Sequence, residues 1–221
     1  MTISILSHTS EIYKHFSQII MTPKLKKNIL LATIIMSFIL ILTSTFFFAE
    51  YLSRQNTPKN ISQIINNINL VDHTGSKFVA KTLENQPSLI FFGFTHCPEV
   101  CPTTLSQLSE ITAKLKTKII TTNIIFITLD PKRDSKEHLK DYISNFNENV
   151  IGITGNIKDI KKLADNWGVF YETISSSKDD YTLNHTATVF MLDKKGYFKG
   201  TISWGENEKS IIQKIINLSK Y

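Results

Sequence analysis

The 221-residue sequence predicts an α/β domain preceded by a single N-terminal transmembrane helix. Three observations lead there. Residues 28–49 carry no charge, strand and helix patterns alternate from Ser88 to Trp167, and the alternation then gives way to a hairpin and a closing helix. With 42% hydrophobic and 20% charged residues, Gly 8 and Pro 6, the composition is that of a globular chain and excludes collagen-like, disordered and disulfide-framework classes. Two cysteines are too few to staple a fold.

The apolar run from Asn28 to Ala49 has 22 residues, about 33 Å of helix at 1.5 Å per residue, which is enough to cross a hydrocarbon core of roughly 30 Å. A cleaved signal peptide needs an apolar region of only about 7–15 residues and a small-x-small site, whereas this run ends in Phe46, Phe47 and Phe48. The helix therefore reads as an uncleaved anchor. Lys24, Lys26 and Lys27 stand before it, and Arg54 and Lys59 behind it are offset by Glu50, so the positive-inside rule leaves residues 1–27 cytoplasmic and exports the rest. The stretch from Met21 is by itself a sufficient start for such an anchor, an expectation under which residues 1–20 are an over-extended N-terminus. Residues 50–66 are polar and aperiodic and read as a tether, and residues 67–221 form the exported domain.

Within that domain Ser88–Phe94 and Asn123–Leu129 are continuous apolar runs, as expected of strands covered on both faces. Helical spacing follows each: Leu105, Leu108, Ile111 and Leu115 after the first, and Leu139, Tyr142, Ile143 and Phe146 behind a Ser135 cap after the second. Val150–Ile153 is a short strand, and Asn156–Trp167 is helical again. Thr186–Leu192, the turn Asp193–Gly196 and Tyr197–Ser203 form an antiparallel hairpin, closed by a helix bearing Ile211, Ile212, Ile215, Ile216 and Leu218. This order is that of a thioredoxin-like fold. Of the net charge of +6, half lies in residues 1–49, where four lysines face one glutamate. The domain is close to neutral, and its lysines are not interleaved with aromatics, so nucleic acid is not an expected partner.

Chemistry concentrates at Gly93-Phe94-Thr95-His96-Cys97-Pro98-Glu99-Val100-Cys101-Pro102, where a buried strand turns into a helix expected to start near Pro102. Cys97 and Cys101, four apart, present both sulfurs to one side once the helix begins, and the helix N-terminus favours thiolates. A static disulfide is the bland alternative. Closed zinc sites need two further ligands, whereas two thiolates with one or two nitrogens suit Cu(I). Six histidines compete for the remaining position. His8 and His15 precede the membrane helix, His73 falls in a turn, His138 sits on a charged helix face, and the His96 side chain points away from the sulfurs. His185, immediately before the hairpin strand, is placed beside the cysteine-bearing helix in a thioredoxin-like fold.

The cysteine motif, together with Leu129-Asp130-Pro131-Lys132-Arg133-Asp134, Thr154-Gly155 and Asn184-His185, resembles the Sco/SenC family in the right order from about Ile68 to Trp204. The resemblance implies a membrane-anchored, thioredoxin-like copper chaperone for cytochrome c oxidase assembly. It puts the copper ligands, for Cu(I) with Cu(II) as the alternative, on Cys97, Cys101 and His185, and matches Asp130 to an acidic residue near the metal. The implied acceptor is the dinuclear copper centre of oxidase subunit II, with other copper chaperones or thioredoxin-like reductants as further partners. Two departures stand out: Glu99 replaces the usual Asp between the cysteines, and Asn184 replaces the usual Asp before the histidine, removing a carboxylate that would orient the ring.

Rival functions remain open on the residues. A thiol–disulfide oxidoreductase would use Cys97 and Cys101 as a redox disulfide, although their spacing is C-x3-C where thioredoxin motifs have C-x2-C. Peroxiredoxin-type T-x-x-C is absent at both cysteines. A copper or redox sensor needs the same ligands as a chaperone. Residues 1–27 contain no arginine, unlike Arg-rich mitochondrial transit peptides, so a bacterial inner membrane with a periplasmic domain is expected ahead of the mitochondrial inner membrane facing the intermembrane space.

Overall fold

The structure, a computed structural model, describes residues 23–55, 64–117, 120–146, 150–175 and 181–221. His8, His15, Met21 and residues 56–63 of the expected tether lie outside the described residues, and residues 50–55 of that tether are helical. The chain divides into two compact units, Met1–Thr57 and Pro58–Tyr221.

The first unit contains helix α1, Pro23–Gln55, of 33 residues, with a mean hydropathy of 2.4 over its apolar window and length enough to cross a membrane. It extends past both ends of the charge-free run. Its interior polar side chains cost little in hydrocarbon because they bond back to the helix itself: the hydroxyls of Thr33, Ser37, Thr43 and Thr45 donate to carbonyls three or four residues earlier.

The second unit is built on a seven-stranded sheet. Its strands are β1 (Leu70–Asp72), β2 (Lys77–Phe78), β3 (Ser88–Gly93), β4 (Asn123–Thr128), β5 (Val150–Gly155), β8 (Thr188–Leu192) and β9 (Phe198–Ser203), in the order β2-β1-β5-β4-β3-β8-β9. Strands β3, β4 and β5 run parallel, and the flanking pairs are antiparallel. β3 is buried throughout, and β4 nearly so, because alternate residues serve two cores. Leu89, Phe91, Ile124 and Phe126 face helices α2 (Val100–Lys116), α3 (Lys136–Ile143) and α5 (Glu208–Leu218). Ile90, Phe92, Ile125 and Ile127 face α4 (Ile157–Asn166) and the segment from Ile65 to Leu83. That two-sided burial is why these strands read as unbroken apolar runs.

Helix starts follow the caps: the side chains of Ser135, Asn156 and Asn207 each accept a backbone N–H three residues on. In the β8–β9 turn the Asp193 carboxylate accepts N–H bonds from Lys195 and Tyr197, and Gly196 takes the left-handed φ of 79°. Helix α2 begins at Val100, two residues before the expected Pro102; proline is tolerated there because N–H groups of the first turn have no helical partner.

Two elements were not expected. β1 and β2 pair around the Asp72–Gly75 turn. β6 (Tyr171–Ser175) and β7 (Tyr181–His185) form a two-stranded ribbon of their own, separate from the sheet. The hairpin strand accordingly starts at Thr188, and His185 ends the ribbon strand before it.

Candidate metal centre

β3 delivers the chain to the site and α2 takes it away. Between them Phe94–Glu99 forms a tight loop in which the Cys97 N–H donates to the Phe94 carbonyl at 3.2 Å. The first turn of α2 aims the Cys101 N–H at Cys97 Sγ, 3.4 Å away. Cys101 is buried and Cys97 is partly exposed; both are free thiols. Their proximity needs Gly93, since a Cβ there would lie 2.7 Å from Cys101 Sγ and 2.7 Å from the Phe126 ring.

The ribbon brings the third group. His185 Nε2 lies 3.6 Å from Cys101 Sγ, while Nδ1 is 3.1 Å from the Thr186 carbonyl. A carbonyl only accepts, so Nδ1 carries the proton and Nε2 presents a lone pair to the sulfurs. Phe94 meets the ring edge-on, with centroids 5.8 Å apart, and Phe91 flanks it at 6.2 Å. Ligand atoms of Cys97, Cys101 and His185 all lie within 4.8 Å of one another. Among the described residues no fourth His, Cys, Asp or Glu joins this group, which disfavours a closed zinc site.

The two sulfurs share one charge. Hydrogen bonding from the Cys101 side chain, helped by the backbone N–H groups of Cys101 and Glu99, outweighs burial and lowers the Cys97 thiol to about 4. The same bond, seen from its other end, combines with burial to raise Cys101 well above the ordinary thiol range. The metal-free reduced chain therefore holds a thiolate at Cys97 and a thiol at Cys101. Alkylation of Cys97 by iodoacetamide is expected to be almost independent of pH from pH 6 to 8. An unperturbed thiol with a pKa of about 8.5 would gain roughly 75-fold in thiolate over that range. Mass spectrometry at each pH reads the outcome, and a rate climbing like that of a free thiol would refute the shared-charge arrangement.

The motif from Asp130 to Asp134 anchors both halves of the centre. Asp130 accepts from Arg133 Nε on one oxygen and from the Tyr181 hydroxyl at 2.8 Å on the other, while Arg133 also donates to the Tyr181 carbonyl at 3.0 Å and lies over its ring. This clasp holds β7, the strand that ends in His185. Asp130, expected near the metal, is thus committed through one oxygen to Arg133 and through the other to Tyr181 of the ribbon, and is not one of the three converging groups. Asp134, fully buried, accepts the Thr95 N–H at 3.0 Å and the hydroxyls of Thr95 and Thr128, and so fixes the cysteine loop. Its carbonyl takes the Thr154 hydroxyl at 3.0 Å.

The other sequence candidates fall elsewhere. His73 accepts the Gly152 N–H at 3.2 Å within its turn. Asn184, which replaces a carboxylate, donates to Glu172 across the ribbon at 3.2 Å, so a carboxylate stands opposite. His96 is not among the groups that converge with the sulfurs and gathers instead with Asp134 and His138. His138 is exposed but not merely solvated, because its ring stacks on His96 at 5.4 Å. Sequence reading missed Gly93, Tyr181 and this histidine stack; only the glycine before the motif carried a local signal.

A family model described as SCO1/SenC matches residues 56–220. An SCO2-like protein of Rickettsia prowazekii is 41% identical over 131 residues, covering 58% of this chain and 64% of the relative. An SCO2-like protein of Rickettsia typhi is 35% identical over 184 residues, 79% of this chain and 90% of the relative. The mitochondrial protein SCO1 of Saccharomyces cerevisiae is 34% identical over 150 residues, 66% of this chain and 51% of the relative. The chain thus spans just under two thirds of the first of these relatives and about half of the yeast one. Among solved structures, copper-bound ScoI of Bradyrhizobium japonicum superposes with a TM-score of 0.63 at 32% identity, covering 68% of this chain and 96% of that one. Copper-bound yeast Sco1 gives 0.65 at 33% identity, covering 69% and 86%. The likeness bears out the thioredoxin-like fold.

Proposed function

The chain belongs to the SCO1/SenC family, and from that premise we propose that it is a membrane-anchored copper chaperone that binds copper through Cys97, Cys101 and His185 and delivers it to the dinuclear copper centre of cytochrome c oxidase subunit II. The observation that carries this reading is the convergence of two sulfurs and one imidazole nitrogen, drawn from positions 84 apart in sequence, on one small volume. Two thiolates and a neutral imidazole are soft, low-coordinate donors suited to Cu(I). Family members whose solved structures hold copper support the same choice of metal.

Residues 28–49 serve as the anchor, with residues 1–27 cytoplasmic and the domain from residue 67 across a bacterial inner membrane; the three lysines before the anchor support that orientation. Relatives come from bacteria and from mitochondria, and the alternative placement for this chain is the mitochondrial inner membrane with its domain facing the intermembrane space.

The thiolate at Cys97 favours a second reading, reduction of the acceptor's cysteines. There the Cys97 thiolate attacks an acceptor disulfide and expels one acceptor sulfur as a thiolate, and Cys101, giving up its proton, then attacks Cys97 Sγ and expels the other. Two electrons and the Cys101 proton thus pass to the acceptor, a second proton comes from water, and Cys97 and Cys101 become a disulfide. A disulfide cannot hold copper, so the two activities exclude each other in one turnover.

The test is transfer. The full-length chain in detergent, loaded with one Cu(I), is mixed with the reduced, metal-free copper domain of subunit II. Copper is expected to move to the acceptor, read as its bound copper by mass spectrometry, faster than from a Cu(I)–chelator complex of equal affinity. Copper retained by the chain, or transfer no faster than from the chelator, would refute delivery. Reduction of an oxidised acceptor under the same conditions would then favour the second reading.

A further inference from the structure

On the outer side of the cysteine loop lies a second convergence of ligating groups. We propose that His96, His138 and Asp134 form a separate site for a divalent first-row metal ion, Cu(II) foremost. It goes beyond the copper reading above and does not rest on it.

The ligand atoms of the three residues lie within 4.8 Å of one another, and both histidines are exposed. They meet around the Thr95 hydroxyl. Thr95 Oγ1 is 3.1 Å from His96 Nδ1, 3.0 Å from His138 Nε2 and 2.5 Å from Asp134 Oδ1, and Asp134 Oδ1 is itself 3.7 Å from His96 Nδ1. The two rings stack 28° from parallel, which brings both nitrogens to the same point from the same side. A hydroxyl has one proton, and here the carboxylate takes it. Without metal, both ring nitrogens must therefore donate to the oxygen. Moving each ring proton to its other nitrogen turns those two donors into lone pairs that converge at the Thr95 hydroxyl, next to the Asp134 carboxylate, so an ion seats there once the hydroxyl swings aside or joins as a ligand.

The donor set selects the ion. Two imidazoles with a carboxylate and a hydroxyl suit borderline divalent ions, and Cu(II) binds such N/O sets most strongly of the first-row series. Metal–nitrogen and metal–oxygen bonds of about 2.0–2.2 Å require the widest ligand separation to close by roughly an ångström. Exposed imidazoles can supply this by side-chain rotation. Asp134 cannot move, since its carboxylate is pinned by the Thr95 N–H and the Thr128 hydroxyl, so it acts as the fixed wall against which the rings close. Thiols take no part. This site should hold its ion whether Cys97 and Cys101 are reduced or oxidised.

A full-length chain carrying Cys97→Ser and Cys101→Ser, in detergent, is titrated with Cu(II) alone and followed by electron paramagnetic resonance. The expected result is one equivalent with nitrogen hyperfine structure from imidazole, and at least tenfold weaker binding when either His138→Gln or His96→Asn is added. Thermal unfolding without metal identifies any variant that fails to fold. Equal affinity in all three chains, loss in only one of the two histidine variants, or a spectrum without imidazole nitrogen overturns the site.

Discussion

Exchanging His185 for alanine lowers the Cu(I) affinity of the reduced chain about a hundredfold or more, some 2.7 kcal/mol. This imidazole is the only one aimed at the sulfurs among the described residues. Its ring is pre-oriented by the Thr186 carbonyl and walled by Phe94, so little ordering is left to do when metal binds, and nothing nearby can replace it. The variant should keep its flat alkylation profile, because the leading stabiliser of the Cys97 thiolate is the Cys101 side chain. Competition against a Cu(I) chelator, run anaerobically beside Cys97→Ser, measures the loss. Equal affinity in the parent and His185→Ala would remove the histidine from the centre and leave a two-thiol redox site.

A single methyl group placed at Gly93 should do comparable damage by a different route. Its Cβ would sit 2.7 Å from both Cys101 Sγ and the Phe126 ring, and both neighbours are fully buried. Gly93 pairs with Thr128 of β4 and its carbonyl accepts the Leu129 N–H at 2.7 Å, so this end of the strand has little freedom to retreat. Overpacking of this kind costs about 2–3 kcal/mol. For a domain of this size that lowers Tm by roughly 5–10 °C. Displacing Cys101 should also cost at least tenfold in Cu(I) affinity. Thermal unfolding of Gly93→Ala without metal separates the two effects, and an unchanged Tm would mean that the strand end is looser than its packing indicates.

What could be read from the sequence follows burial. β3 and β4 announce themselves because residues such as Phe91 and Phe92 face opposite cores, so no polar position interrupts them. The helices are legible from caps such as Ser135 and Asn156. The β6–β7 ribbon is not, because Glu172, Thr173 and Ile174 are all exposed and leave no alternation to detect. The cysteine pair and His185 could be nominated from position and chemistry. The roles of Asp130 and Asp134 could not, because they depend on partners far along the chain, Tyr181 being 51 residues from Asp130 and Thr95 39 from Asp134. His138 was placed on a solvated face because helical spacing describes a helix by itself. Its neighbour across the loop, His96, belongs to another element.

The ribbon that carries His185 is a sheet of its own, joined to the cysteine helix at the centre by one imidazole–sulfur contact. An ion held between Cys101 and His185 is consequently a cross-link. It closes a loop of 84 residues, and by the entropy scaling of chain closure such a bridge is worth about 4–5 kcal/mol to the folded state. A bound ion is thus also a rivet. The metal-loaded chain should resist global unfolding, and the proteolysis that proceeds through it, more than the empty one, and losing the ion gives up that margin.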